Sequence, residues 1–230
     1  MTTTSTPTRP PTRPVPSHWR DWRVVWGILL VTAIPLGAGV VRLLDLSGVD
    51  LTSDDARFHD SPLPVVVHVV GAILFTVLGA LQLVPSLRRN RPAVHRWVGR
   101  VALPAGLAVA LSGLWMTVAY PLPARDTDLL NLFRVLAGGA MVVALVTAFA
   151  AIRRRDVPAH RAWMLRGYAL GLGAASQFVM LAPWALVAGA EPEGTPRALV
   201  MGAAWLVNLT IAEWVIHRSP GPARSGSPAR

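Results

Sequence analysis

Six long apolar runs, separated by short polar segments, dominate the chain. They cover residues 24–44, 64–84, 98–120, 132–152, 163–187 and 198–216. Each run has about the 20 residues that an α-helix needs to cross a hydrocarbon core of about 30 Å. Nearly every position within a run is apolar, whereas the strands of a membrane barrel alternate apolar and polar residues. The pattern predicts an all-α fold, a polytopic membrane helical bundle of about six transmembrane helices.

The segments outside these runs are too short to form further domains. Residues 1–23 are rich in Thr and Pro, a composition typical of disordered chain. We expect disordered tails at 1–23 and 218–230 around a six-helix membrane domain at 24–217. The first run has a basic flank like that of a signal peptide, but it is long enough to span and has no clear cleavage site after it. It is therefore interpreted as a retained helix, bent at Pro35.

Arginine is concentrated in every second polar segment. These arginines are Arg9, Arg13, Arg20 and Arg23, then Arg88, Arg89, Arg91 and Arg96, then Arg153, Arg154, Arg155 and Arg161, and finally Arg218, Arg224 and Arg230. The intervening segments carry Asp45, Asp50, Asp54, Asp55, Asp60, Asp126, Asp128, Glu191 and Glu193. Because basic loops stay on the cytoplasmic side, the pattern predicts a multi-pass protein of the bacterial plasma membrane with both termini in the cytoplasm.

Composition supports the lipid bilayer as the main partner and excludes several kinds of chemistry. Hydrophobic residues make up 53% of the chain and charged residues 15%, unlike a soluble domain. The net charge of +10 lies in short clusters between apolar runs, which argues against nucleic-acid binding. The absence of cysteine excludes thiolate metal sites and iron–sulfur clusters, so a metal or haem would need His, Met or carboxylate ligands.

Common catalytic motifs are missing. The chain has no phosphate loop, no Gly-x-Ser-x-Gly elbow, no His-Glu-x-x-His pair and no close acidic pair inside a span. No catalytic residue is therefore identified, and the sequence does not favour an enzyme.

One polar motif occurs twice. Arg91-Pro92-Ala93-Val94-His95-Arg96-Trp97 precedes the third span and Val157-Pro158-Ala159-His160-Arg161-Ala162-Trp163 precedes the fifth, each followed by an arginine, Arg100 or Arg166. The repeat indicates an internal duplication of two-helix units over spans two to five, with spans one and six added.

At these motifs the chain resembles domain-of-unknown-function family 2306 of predicted bacterial membrane proteins. The resemblance runs from about Pro64 to Leu181. It rests on Gly79-Ala80-Leu81-Gln82, His95-Arg96-Trp97-Val98-Gly99-Arg100 and His160-Arg161-Ala162-Trp163-Met164-Leu165-Arg166, with Tyr168 following. The family often has a further arginine about three turns beyond the second motif, where this chain has Ser176-Gln177-Phe178. The resemblance implies the fold and the membrane location but no activity.

A cluster of His and Arg is predicted at the cytoplasmic face. His95 and His160 precede the third and fifth spans, and two neutral imidazoles on facing helices are suited to axial ligation of a b-type haem. Arg100 and Arg166 would then pair with the haem propionates. The alternative is that each His-Arg-Trp group is an interfacial anchor, with Arg at lipid phosphates and Trp at headgroup depth.

Two residues of the last span extend this cluster. Glu213 and His217 lie four residues apart, hence on the same helical face, at the depth of the two histidines above. They are candidate metal ligands, although the sequence commits to no metal.

Polar residues inside the spans are a second set of candidates. They are His68, Gln82, Arg134, Gln177, Asn208 and Glu213, and their cost in lipid predicts that they face the bundle interior. His68 and Arg134 would form the mouth of a polar path toward Asn208 and Glu213. Interhelical hydrogen bonding that serves packing alone is the alternative.

The sequence thus predicts a membrane protein of unknown activity and leaves three function classes open. A haem-binding redox protein requires His95 and His160 to face each other. A transporter of a small solute or of protons requires a polar path from His68 to Glu213. A structural protein that binds a protein partner, or itself as a homo-oligomer, requires neither.

Overall fold

The computed structural model describes residues 18–49 and 56–218, and within these ranges it is helical with no strand. The helices are α1 His18–Leu46, α2 Ala56–Asp60, α3 Pro62–Gln82, α4 Pro85–Asn90, α5 Pro92–Ala119, α6 Asp128–Arg153, α7 Val157–Gly171, α8 Gly173–Ala188 and α9 Gly194–Arg218. Five helices are each long and apolar enough to cross a membrane, and the bent pair α7–α8 makes up to a sixth span. The all-α membrane bundle expected from the sequence is confirmed.

The helices begin earlier than the apolar runs. Helices α5 and α7 start at Pro92 and Val157, six residues before the predicted 98 and 163, and each has Pro in its first two positions. Proline favours that position because its φ suits a helix and its missing N–H would have no partner there. His95 and His160 are therefore the fourth residues of helices rather than loop residues.

The predicted tails fall largely outside the described residues. Residues 1–17 and 219–230 are not described, so the expectation of disorder there stays a prediction. Helix α1 begins at His18, within the range 1–23 that was expected to be a tail.

The predicted fifth span, 163–187, is broken into α7 and α8. The two helices meet at Leu172 with a bend of 42°. Gly171 and Gly173 flank the break and are weak helix formers. Both also permit close packing, because a Cβ would lie 2.6 Å from a Phe75 ring atom at Gly171 and 2.2 Å from the Trp205 ring nitrogen at Gly173.

Two helical hairpins form the centre of the bundle. Helix α3 packs mainly on α5, and α6 mainly on α7, so each hairpin corresponds to one copy of the sequence repeat. Between the hairpins, the Phe75 and Tyr168 rings meet edge to face with centroids 5.5 Å apart. The Tyr168 hydroxyl donates to the Thr76 carbonyl at 2.7 Å, which fixes the ring between α3 and α7.

The bundle has two chemically different ends. The basic end comprises residues 83–97, 153–161 and 213–218, and is joined by contacts such as the hydrogen bond from Gln82 to the His95 carbonyl. The acidic end comprises residues 45–49, 56–61, 120–128 and 189–197, and is joined by contacts such as that from the Gly194 amide to the Arg125 carbonyl.

The close approach of α3 and α7 gives a test of the packing. A Cβ at Gly79 would lie 2.1 Å from Cε2 of the Tyr168 ring, whereas a Cβ at Gly139 has nothing within 4 Å. Since the Tyr168 ring is held at its hydroxyl, Gly79→Ala is expected to destabilise the protein by about 1–3 kcal/mol. Gly139→Ala should be neutral or slightly stabilising. Thermal unfolding in detergent measures both, and an unchanged midpoint for Gly79→Ala would contradict the packing.

Candidate functional site

A cavity of about 120 Å³ lies between α1, α3 and the α7–α8 break. Its lining residues are Thr32, Pro35, Leu36, Gly39, His68, Val69, Ala72, Thr76, Gly171, Leu172, Ala174 and Ala175. His68 is the single titratable side chain among these twelve. The cavity is thus mainly apolar, with an imidazole and two threonine hydroxyls in its wall.

The orientation of the His68 ring is set by α5. Its Nδ1 lies 3.1 Å from the Val109 carbonyl oxygen and 3.2 Å from the Ser112 hydroxyl. A carbonyl can only accept, so we assign the proton of the neutral ring to Nδ1. Nδ1 therefore faces α5, and His68 is also among the residues that line the cavity.

A second candidate lies at the basic end, where His95 and His160 begin neighbouring helices that contact each other. Their charges are close enough to interact, and Arg88 and Arg96 are close to His95 as well. The His160 Nδ1 is 2.9 Å from the Ala148 carbonyl, which leaves its Nε2 with a lone pair. The His95 Nδ1 is buried and has no partner in the described part of the chain.

The two arginines of this cluster have partners within the protein. Arg166 donates two hydrogen bonds to Glu213, at 2.6 and 2.9 Å, and its guanidinium lies over the Trp163 ring. Arg100 lies over the Trp97 ring, 5.1 Å from the centroid. The role proposed for Arg166 at a haem propionate would require it to leave a bidentate ion pair.

His217 lies 3.7 Å from Glu213, and its side chain is 79% exposed. Among the residues that the structure describes, no three His, Cys, Asp or Glu side chains are grouped as for a metal ion. The candidate ligands Glu213 and His217 therefore lack a third ligand in this part of the chain.

The intramembrane amides make interhelical hydrogen bonds. Gln82 donates to His95 O at 2.8 Å, Gln177 to Met201 O at 3.3 Å, and Asn208 to Ala169 O at 3.0 Å and to Ser176 Oγ at 2.8 Å. For Gln82 and Gln177 this geometry agrees with the packing interpretation. Asn208 differs because its partners lie on both sides of the α7–α8 break.

Arg134 belongs to an ion-pair network at the acidic end and is not among the residues that line the His68 cavity. Its guanidinium lies 2.7 Å from Asp126, and Arg197 contacts the other oxygen of the same carboxylate at 3.0 Å. Arg197 also pairs with Glu191. This network connects the α5–α6 loop to α6 and α9.

Sequence reasoning did not single out Asp126 or Arg197 as a buried pair. Asp126 entered only as one of the acidic loop residues, yet its side chain is 2% exposed. The sequence feature that could have indicated an ion pair of Asp126 is its position just before a helix that carries Arg134 two turns later. Burial alone would raise the Asp126 pKa, but the hydrogen bonds and charges of Arg134 and Arg197 outweigh it and lower that pKa.

The comparison with known protein families decides the membership of the chain. Residues 65–216 match the family described as "Predicted membrane protein (DUF2306)". The chain belongs to the DUF2306 family. No curated protein and no solved structure matches the chain.

The DUF2306 match covers the whole of the basic-end site but only part of the His68 cavity. Both histidines of the basic end and the Arg166–Glu213 pair lie inside it, as do His68 and the α7–α8 break. The α1 wall of the cavity, from Thr32 to Gly39, lies outside. In this DUF2306 protein the cavity therefore depends on a helix that precedes the family match.

Removal of the Asp126 carboxylate tests the ion-pair network. Asp126→Asn removes the carboxylate that Arg134 and Arg197 share, while Glu191 still pairs with Arg197, so the expected cost is about 1.5–3 kcal/mol, the contribution of a hydrogen bond to a charged group. Asp128→Asn is the matched control, because Asp128 is exposed and its effect on the helix dipole is about 0.3–1 kcal/mol. Chemical or thermal unfolding of both variants at pH 7 measures the difference, and equal effects would contradict the network.

The ion pairs of Asp126 also predict that the stability of the fold depends on pH. The folded-state pKa of Asp126 lies below its ordinary value, so its stabilisation is fully present above about pH 3.9 and is lost as pH falls through the folded pKa. The stability difference between wild type and Asp126→Asn should be constant from pH 7 to 5 and shrink below that ordinary pKa. A constant difference down to pH 2 would contradict this prediction.

Proposed function

We propose that the protein is a membrane transporter for a small hydrophilic species and that the species passes through the His68 cavity. The observation that carries the proposal is that a broken helix and an ionisable side chain line one cavity inside the membrane-spanning bundle. Ionisable residues within spans are costly in lipid and are typically functional. Transporters also commonly bind their substrates where spanning helices are discontinuous.

The position of the helix break supports this proposal. Helix α7 has 15 residues before the break and α8 has 16 after it, so the break is near the middle of the span. Backbone that leaves the helix at this depth is tolerated only where it is buried in protein or lines a water-filled space. Gly171 and Leu172 line the cavity, in agreement with the second case.

Helix α1 is weakened on the opposite wall of the same cavity. Pro35 lies inside α1 and has no N–H, so the Val31 carbonyl lacks its intrahelical partner. Two helices that bend readily therefore face each other across the cavity. This arrangement suits a cycle in which the cavity opens to one side of the membrane and then to the other.

The route toward the basic end is closed in this conformation. The Phe75 and Tyr168 rings pack against each other next to Thr76, which is at the inner end of the cavity along α3. Asn208 bonds to both sides of the break, and the Arg166–Glu213 pair lies nearer the basic end, beyond Tyr168. Tilting α7 at Leu172 would move Tyr168 and open this route.

We also propose that the basic end faces the cytoplasm and that both termini lie there. The arginines of the α4–α5 and α6–α7 connections support this orientation, because such residues mark cytoplasmic loops. The His68 side of the cavity would then be nearer the outer face.

Accessibility to water tests the transport pathway directly. The chain contains no cysteine, so single-cysteine variants report one position each. Thr76→Cys and Ala175→Cys should react with a charged, membrane-impermeant thiosulfonate, because the cysteine thiolate, which forms only where water is present, attacks the reagent and displaces sulfinate. Leu206→Cys is the matched control, since Leu206 is 67% exposed on a spanning helix and should be in lipid. Absence of labelling at both cavity positions, from either side of the membrane, would overturn the proposal.

A second candidate function, b-type haem binding, is favoured by the unpartnered His95 Nδ1 beside His160. The His160 Nδ1 donates to a backbone carbonyl, as is usual for metal-ligating histidines. These two imidazoles would hold the group, and it would supply one-electron redox chemistry. The donor pair fits in this respect, whereas Arg166 is already engaged by Glu213.

The visible spectrum tests the second candidate. Protein purified from cells grown with ample haem should show a reduced b-type band with dithionite. His95→Ala and His160→Ala should each lose the band, while His217→Ala should keep it because that side chain is exposed. A wild-type spectrum without the band would exclude haem binding under these conditions.

A further inference from the structure

We infer that the species carried through the cavity is the proton and that Nε2 of His68 is the atom that takes it up and releases it. This inference rests on the proposed transport function and specifies its substrate. It is carried by the fixed orientation of the ring, by the chemistry of the cavity wall and by the size of the cavity.

The His68 ring is held so that only one nitrogen is free for proton exchange. Its Nδ1 contacts the Val109 carbonyl and the Ser112 hydroxyl, and these contacts persist when the ring is protonated, because Nδ1 donates in both states. Protonation therefore occurs at Nε2 without rotation of the ring. The hydrogen bond from Nδ1 to the Val109 carbonyl keeps the ring in place while Nε2 exchanges its proton.

The cavity wall offers no group that would select another ion. None of the twelve lining residues is Asp, Glu, Lys or Arg, so a metal cation lacks carboxylate ligands and an anion lacks a permanently charged partner. The nearest charged groups on α1, Arg42 and Asp45, pair with each other at 3.1 Å. Helix α5 presents a carbonyl and a hydroxyl to His68, and α8 presents Ala174 and Ala175. A proton needs only the imidazole and water.

The cavity has the size of a short file of water molecules. A volume of about 120 Å³ is several times the roughly 10–15 Å³ that one water needs on the same measure, so the cavity has room for several waters. Thr76 follows His68 by eight residues on α3, a distance of about 12 Å along the helix. Four waters at hydrogen-bond spacing of about 2.8 Å span that length, with the Thr32 and Thr76 hydroxyls as polar partners at the far end.

The proton balance of the step is simple. A hydronium ion on one side gives its proton to Nε2, an N–H bond forms, and neutral water remains. The imidazolium later gives the same proton to water on the other side, and the N–H bond breaks. One positive charge crosses per cycle, so the flux follows the membrane potential.

Proton flux into liposomes tests the inference. The full chain is reconstituted with internal pyranine, and a potassium gradient with valinomycin sets the membrane potential. Wild type should acidify the lumen at least tenfold faster than protein-free liposomes. His68→Gln should lower the flux to the protein-free level, because the amide can still donate to Val109 but does not bind a proton. His59→Gln is the matched control, as His59 is half exposed at the acidic end, and should conduct like wild type.

A second variant tests the cavity independently of the imidazole, and an unchanged thermal unfolding midpoint in detergent for both variants excludes loss of the fold. Ala72→Phe fills the cavity and leaves His68 in place, so it should also abolish flux. Wild-type flux in either variant would overturn the inference. Labelling of the cavity cysteines without wild-type proton flux would overturn the inference and leave transport standing, whereas absence of both labelling and flux would overturn both.

Discussion

Every backbone amide and carbonyl within a bilayer needs a hydrogen-bond partner inside the protein, because the hydrocarbon offers none. This requirement makes the spanning segments helical, and it makes the break at Leu172 the most consequential feature of the bundle. A span interrupted near its centre needs glycines that permit close contact, and Gly171 and Gly173 provide them. The freed backbone also needs a cavity or a polar neighbour, which are provided by the His68 cavity and by Asn208.

The α7–α8 break lies between the helices that hold His68 and the helix contacts of α7 with α3 and α9. On one side, α3 carries His68, whose orientation depends on α5. On the other, α7 carries Tyr168 into the centre and Arg166 to Glu213 on α9. Movement at Leu172 would change the distance between these groups while α3 and α5 stay packed. The pairing of the duplicated hairpins thus supplies a rigid part and a part that can bend.

Much of this architecture was predictable from the sequence. The six apolar runs correspond to the five long helices and the α7–α8 pair, and the repeated motif located His95 and His160 near the starts of α5 and α7. The helix starts at Pro92 and Val157 were missed because hydrophobicity marks the bilayer and not the end of the helix. The buried Asp126–Arg197 pair was missed because its partners are 71 residues apart in the chain.

The sequence by itself determined that a bilayer is the solvent of this protein and that its spanning elements are helices, because both depend on local hydrophobicity and helical rise. Only the tertiary structure decided which polar groups neutralise each other and which face a cavity. Arg166 and Asp126 find partners on distant segments, while His68 is held by α5 and lines a cavity. Such pairings depend on how helices are rotated and packed, and side-chain identity along one helix does not specify them.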